Sequence, residues 1–93
     1  MKVRYTETAA AEVAEIFEYI AARNRRAAAE LVERLERLVE NLESAPLMAR
    51  VTDEQGTHVI PVGRYPYLVF YAVENDEVII LHVRHGARRY PER

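Results

Sequence analysis

The sequence predicts a small α+β domain in which a hairpin of two helices covers one face of an antiparallel β-sheet. Two segments repeat apolar residues with the spacing of amphipathic helices. The last third of the chain consists of short apolar runs separated by turn residues, as in consecutive strands. A chain of 93 residues with 49% hydrophobic content can build one core. We therefore expect one domain over residues 1–93, with the element order β-α-α-β-β-β.

The first two predicted elements are a short strand and an amphipathic helix. Val3 and Tyr5 alternate with polar residues, as in a strand that buries one face. Thr8 is the expected N-cap of the helix that follows. The apolar stripe of this helix comprises Val13, Ile16, Phe17 and Ile20. Asn24 is expected to end the helix in the left-handed conformation, which asparagine tolerates.

A second helix is predicted from about Ala27 to Glu43, ahead of Pro46. Its apolar stripe comprises Leu31, Leu35, Leu38 and Leu42. Two pairs of opposite charge are spaced four residues apart and are expected to interact, Glu30–Arg34 and Glu33–Arg37. Because the link around Asn24 is short, the two helices should fold back on each other as an antiparallel hairpin.

The rest of the chain is predicted to cross to the sheet and complete it. Residues 47–55 have little pattern, and three apolar residues there have no place in the helical stripes: Leu47, Met48 and Val51. Strands over 67–73 and 78–84 flank a polar connection centred on Asn75 and Asp76, which accept positive φ. Two helices cover only one face of a sheet. One alternating set, either Tyr67, Val69 and Tyr71 or their neighbours, should therefore form an exposed apolar face.

Composition excludes several kinds of site. Without cysteine there is no disulfide and no cysteine-ligated zinc. The chain has no apolar run of about 20 residues and no secretory signal at its start, so we expect a soluble cytoplasmic protein. His82 and His85 lack a metal-binding spacing, and three isolated glycines form no phosphate loop, so no metal or cofactor is expected. Ser44, the only serine, has no histidine near it in sequence.

Positive charge is concentrated at the C-terminal end, although the net charge is −2. A cationic and aromatic cluster is predicted there, comprising His82, Arg84, His85, Arg88, Arg89 and Tyr90, with Arg64 as a further candidate from the neighbouring strand. Taken singly, each residue fits a structural role in pairing or packing. Taken together, they could bind phosphates and stack on bases, or dock onto an acidic protein surface. Both interpretations are open from the residues alone.

The chain resembles the ParE branch of the RelE/ParE toxin family over nearly its whole length, from about residue 2 to residue 91. The segments that carry the resemblance are Thr6-Glu-Thr-Ala-Ala10, Phe17-Glu-Tyr-Ile20, Val62-Gly-Arg-Tyr-Pro-Tyr-Leu-Val-Phe-Tyr71 and Val78-Ile-Ile-Leu-His-Val-Arg-His-Gly-Ala-Arg88. The resemblance implies the toxin of a bacterial type II toxin–antitoxin pair, which a ParD-like antitoxin holds inactive. It also implies the α+β fold that the patterning predicts.

The resemblance implies two mechanisms. ParE-like members are associated with inhibition of DNA gyrase and are not known for catalysis, whereas RelE-like members cut mRNA on the ribosome. RelE-like nucleases are rich in Lys or Arg on the middle strands, where this chain has Val59, Ile60, Pro61, Val62 and Pro66. A ribonuclease also needs a proton acceptor and a proton donor, and arginine is a poor proton carrier. The residues therefore favour a noncatalytic gyrase inhibitor.

We accordingly expect Arg84, His85, Arg88, Arg89 and Tyr90 to contact the target. Leu47, Met48 and Val51, beside the helical hairpin, are expected to contact the antitoxin. The alternative is a ribosome-dependent mRNA endonuclease with Arg64, Arg84, His85 and Tyr90 as its site, and direct nucleic-acid binding is expected only in that case. A third possibility is a nontoxic module that only binds antitoxin.

Overall fold

A computed structural model of the protein describes residues 1–46 and 56–86, and the backbone of residues 50–51. The elements in chain order are β1 (Lys2–Tyr5), α1 (Glu7–Ala21), α2 (Arg25–Ser44), β2 (Arg50–Val51), β3 (His58–Pro61), β4 (Tyr67–Glu74) and β5 (Glu77–His85). The strands form one sheet in the order β1-β5-β4-β3-β2. The predicted α+β class is confirmed, and the two-residue β2 adds a short edge strand within the segment expected only to cross to the sheet.

The sheet is mixed, whereas an antiparallel sheet was expected. The pairs β2–β3, β3–β4 and β4–β5 are antiparallel, but β1 runs parallel to β5, with Val3 opposite Val78. A parallel pair requires a long crossover connection. The helical hairpin and the strands after it provide that connection, so the direction of β1 depends on tertiary packing and not on its own sequence.

Two helix caps differ from the sequence prediction. The Thr6 hydroxyl, not that of Thr8, accepts a hydrogen bond from the Ala9 amide at 3.0 Å and caps α1. The Thr6 amide still donates to the Ile80 carbonyl, so the helix begins directly at the end of β1. Asn24 is extended (φ −159°) and caps the start of α2 through its side-chain oxygen, instead of ending α1 in the left-handed conformation. Asparagine is a preferred N-cap, and the link is too short for a separate terminator.

The core lies between the helical hairpin and one face of the sheet. All four leucines of the predicted α2 stripe are buried: Leu31, Leu35, Leu38 and Leu42. Tyr67, Val69 and Tyr71 of β4 pack against them. Leu68, Phe70 and Ala72 alternate with these residues on the opposite face, where Leu68 and Phe70 are half-buried and Ala72 is buried. The amino group of Met1 donates to the Glu43 carbonyl at 2.8 Å, which places the end of α2 beside the start of β1. The second helix therefore doubles back, as predicted.

Neither helix of the described residues is long and apolar enough to cross a membrane.

The β4–β5 hairpin closes with a two-residue turn at Asn75 and Asp76, whose φ angles are 52° and 61°. Positive φ at both positions identifies the turn type that matches the twist of antiparallel strands. The prediction that this pair would form the turn is confirmed, although each strand extends one residue closer to it than expected. The turn fixes the register of the two longest strands in the sheet.

We predict that Asp76→Ala lowers the free energy of unfolding by about 1 kcal/mol, because a Cβ-bearing residue without a short polar side chain is disfavoured at positive φ. Asp76→Gly should leave stability unchanged or raise it, since glycine adopts this conformation without a steric penalty. Urea denaturation of the two variants measures the difference. Equal stabilities for the alanine and glycine variants would contradict the turn geometry described here.

Candidate functional site

An extra residue in β5 determines on which face of the sheet each side chain near the C-terminal end of this strand lies. Tyr71 pairs with Ile80 and Phe70 pairs with His82, so Leu81 has no partner in β4 and forms a β-bulge. The bulge reverses the alternation of β5. Before it Ile80 faces the helices, and after it Val83 does so, whereas strict alternation would turn residues 82 and 84 inward.

Glu12 of α1 holds the strand immediately after the bulge. The last residue pair between β1 and β5 is Tyr5 with Ile80, so β1 does not pair with β5 beyond Ile80. One Glu12 carboxylate oxygen accepts a hydrogen bond from the Val83 amide at 2.9 Å. The Thr6 hydroxyl, at the start of the same helix, donates to the Leu81 carbonyl at 3.3 Å. The first turns of α1 thus take the place of a paired strand along this edge.

The same carboxylate gathers His82 and Arg84 into a compact group, called here the Glu12 cluster. Its second oxygen lies 3.4 Å from His82 Nδ1 and 3.6 Å from Arg84 Nε. Arg84 Nη2 lies 3.5 Å from His82 Nε2. The three side chains are between a quarter and a third exposed. A guanidinium group is therefore positioned at the surface by a carboxylate that is itself anchored to the backbone.

The contacts of His82 indicate a structural bridge and not a free proton carrier. Both of its ring nitrogens have partners within the Glu12 cluster, since Nδ1 faces the carboxylate and Nε2 faces the guanidinium. A general base must present one nitrogen to the proton that it removes. His82 would have to break a contact before it could do so. The arrangement is suited to binding an anionic or acidic group through Arg84.

His85 lies on the opposite face from Arg84, although the sequence interpretation placed both in one cluster. It pairs with Tyr67 across the hairpin, and the two rings meet edge to face with centroids 5.4 Å apart. Burial raises the pKa of Tyr67, with a smaller contribution from Tyr19 of α1. Tyr19 is 59% exposed and carries the Arg23 guanidinium 4.0 Å from its ring centroid. The end of β5 thus presents Arg84 on one face and an aromatic group on the other.

Arg64 belongs to a different part of the molecule from the Glu12 cluster. It follows Gly63 in the β3–β4 turn and lines an open cleft against α2. The structure thus places it among the side chains of α2 instead of bringing it into the predicted C-terminal cluster.

Five other predicted contact residues lie outside the described residues: Arg88, Arg89 and Tyr90 for the target, and Leu47 and Met48 for the antitoxin. Val51 is placed by its backbone, in β2.

Glu12 was not among the predicted site residues, and His82 was predicted in the C-terminal cluster but not as a target contact. Glu12 lies three residues after Ala9 and four before Ile16, so it occupies the buried side of α1 and not its solvent side. Val78, Ile80 and Val83 are the most buried residues of β5, and the step of three between the last two breaks the period of a strand. That break turns His82 and Arg84 away from the core face.

Comparison with known proteins identifies relatives of the whole domain. The family described as ParE toxin of type II toxin–antitoxin system, parDE, matches residues 3–90. The chromosomal ParDE toxin–antitoxin system of P. aeruginosa contains a similar chain, with a TM-score of 0.78 and 22% identity over 91% of this chain and 95% of that one. A YoeB/ParE toxin from Agrobacterium tumefaciens has a TM-score of 0.65 and 15% identity over 91% of this chain and 98% of that one.

A third similar structure is the RelBE2 toxin–antitoxin complex of Mycobacterium tuberculosis. The TM-score is 0.61 and the identity 24%, over 90% of this chain and 95% of that one. At these identities the solved structures show that the fold is shared. No curated protein sequence matches the chain.

We predict that Glu12→Ala lowers the free energy of unfolding by about 1–3 kcal/mol, because the Val83 amide loses its acceptor. Glu12→Gln should cost less, since an amide oxygen can still accept from Val83 while the attraction to Arg84 is lost. Glu15→Ala is the matched control, because Glu15 is exposed on the same helix. Urea denaturation measures all three variants. If Glu12→Ala is no more destabilising than Glu15→Ala, the carboxylate does not anchor β5.

We also predict a loss of stability in alkali that involves two tyrosines. Burial raises the pKa of Tyr5 above 10.0, with a smaller contribution from Glu36, and burial raises that of Tyr67. A raised folded-state pKa means that the folded protein holds the phenol proton more tightly than the unfolded chain does. The stabilisation is present below about pH 10 and is lost as the pH rises through the folded-state pKa.

The free energy of unfolding, measured at about pH 8 and about pH 11, should fall less in Tyr5→Phe and Tyr67→Phe than in the unaltered protein. If the free energy of unfolding falls as much in both variants as in the unaltered protein, these phenols are not the cause of the lost stability.

Proposed function

The chain belongs to the ParE toxin family of type II toxin–antitoxin systems, and from this premise we propose that it arrests bacterial growth by binding DNA gyrase. The family match over residues 3–90 is the observation that carries the proposal. We further propose that a ParD-like antitoxin neutralises it, a partner suggested by the ParDE system among the similar structures. A cytoplasmic location accompanies this proposal, because gyrase acts on chromosomal and plasmid DNA in the bacterial cytoplasm.

The geometry of the Glu12 cluster supports a binding role over a catalytic one. Arg84 is held at the surface by Glu12, and both oxygens of Glu12 and both nitrogens of His82 already have partners, so the cluster offers a guanidinium contact group and no uncommitted proton acceptor. A fixed guanidinium binds a carboxylate through paired hydrogen bonds at low entropic cost. An acidic patch on a protein target is a suitable counterpart.

We propose that the rest of the target surface continues from Arg84 along the C-terminal end of the chain. His85 follows Arg84 at the end of the same strand, on its other face, so the proposed surface includes the end of β5 from both sides, and the sequence adds Arg88, Arg89 and Tyr90. This assignment rests on the position and charge of these residues. Exposed arginines contribute little to folding through surface ion pairs, but they can contribute to affinity through charge-assisted hydrogen bonds at an interface.

The antitoxin is proposed to bind the helical hairpin and the segment after it. Two large apolar side chains of α1 are exposed, Phe17 at 39% and Tyr19 at 59%. Leu47, Met48 and Val51 follow the hairpin in sequence and have no place in its stripes. Burial of such residues in a partner favours tight association.

Induction of the toxin in bacteria without antitoxin tests the function. We expect growth arrest, loss of plasmid supercoiling and intact mRNA, and we expect coexpressed antitoxin to restore growth. Arg84→Gln should relieve most of the arrest, whereas Arg25→Gln, which alters an exposed arginine at the start of α2, should not. Circular dichroism should show that both variants are folded.

Each contrary result has a definite meaning. Site-specific mRNA cuts with normal supercoiling would replace the gyrase proposal with a ribosome-dependent endonuclease. Normal growth with full expression would indicate a nontoxic module that only binds antitoxin.

A further inference from the structure

An open concavity lies between α2 and the β3–β4 turn, away from the Glu12 cluster. It is an open cleft of about 400 Å³. Its lining residues are Glu30, Glu33, Arg34, Arg37, Arg64, Tyr65 and Pro66. All of them lie on two parts of the fold, about two turns of α2 and the turn that precedes β4. We call it the arginine cleft.

Three of the residues that line this cleft carry guanidinium groups. In the part of the chain that the structure describes, Arg34, Arg37 and Arg64 make no ion pair with another residue. The two ion pairs predicted along α2, Glu30–Arg34 and Glu33–Arg37, are therefore not formed. Three positive groups around a concave surface attract an anion more strongly than the same groups on a convex surface.

Local contacts of Glu30 and Arg34 account for the absence of the first of these pairs. The Glu30 carboxylate is 3.4 Å from the Tyr65 hydroxyl, which lies across the cleft on the turn. Gly63 has a φ of 53°, and a Cβ at this position would lie 3.2 Å from Arg34 Nε. The absence of a side chain therefore lets the Arg34 guanidinium lie directly against the turn.

The charges around the cleft favour an acidic protein segment over nucleic acid. Glu30 and Glu33 also line the cleft, and Glu36 and Glu40 are exposed farther along the same helix. A continuous row of phosphates would pass close to these carboxylates and be repelled. A short peptide can place one or two carboxylates on the arginines and keep the rest of its backbone neutral. Arginine matches a carboxylate with two parallel hydrogen bonds.

We propose that the arginine cleft binds an acidic segment of a partner protein, with its carboxylates on Arg34, Arg37 and Arg64. This site is separate from the target surface at the end of β5 and does not depend on gyrase being the target. It gives the domain a second contact surface on α2, the helix whose other side forms the core with Leu31, Leu35, Leu38 and Leu42.

A peptide that alternates glutamate with serine is the probe, and the same peptide with glutamine in place of glutamate is its control. NMR of the arginine Nε–Hε groups should show shifts at Arg34, Arg37 and Arg64 with the glutamate peptide alone. The double variant Arg34→Gln/Arg37→Gln should weaken binding by about tenfold or more, the loss expected for charged hydrogen bonds. Arg25→Gln/Arg26→Gln removes the same charge from exposed positions on α2 and should leave the affinity within about twofold at moderate salt.

The proposal fails if the glutamate peptide shifts no cleft arginine in the unaltered protein, or if the two double variants weaken binding equally. It also fails if oligothymidylate shifts the same arginines at lower concentration than the peptide does, since the site would then prefer phosphates. Circular dichroism establishes that both variants are folded. The measurement uses purified protein without gyrase. A negative result would therefore count against the arginine cleft alone, whereas the growth assay tests the gyrase proposal.

Discussion

The extra residue at Leu81 is the constraint on which the functional end of the sheet depends. It reverses the alternation of β5, so Val83 joins the core while His82 and Arg84 turn to the other face. A bulge leaves backbone groups without strand partners, and these must be satisfied in another way. Thr6 and Glu12, from the start of α1, contact the Leu81 carbonyl and the Val83 amide. The position of α1 and the shape of β5 are thus determined together.

This coupling connects the fold to the proposed binding role. The carboxylate that satisfies the β5 backbone also directs Arg84, so the charged contact group is oriented by the same interaction that holds the helix on the sheet. A side chain fixed in this way loses less conformational entropy when it binds a partner. The arginine cleft presents its positive groups from α2 instead, and the two surfaces can therefore act independently.

The sequence predicted the elements whose causes are local. The leucine spacing of α2 and the Asn75–Asp76 turn depend on helical period and on tolerance of positive φ, and both are confirmed. For features that depend on contacts between residues distant in sequence, the prediction was either missing or wrong. Thr8 is as good an N-cap as Thr6 in isolation, and the hydrogen bonds from Thr6 to Ile80 and Leu81 of β5 select between them. The parallel direction of β1 and the division of Arg84 from His85 likewise depend on tertiary pairing.

The most direct measurement of the central claim is a supercoiling assay with purified gyrase, relaxed plasmid and purified toxin, in the absence of ribosomes. The account predicts that toxin in modest excess over gyrase stops supercoiling and that added antitoxin restores it. Full supercoiling in the presence of a large excess of folded toxin would contradict the account.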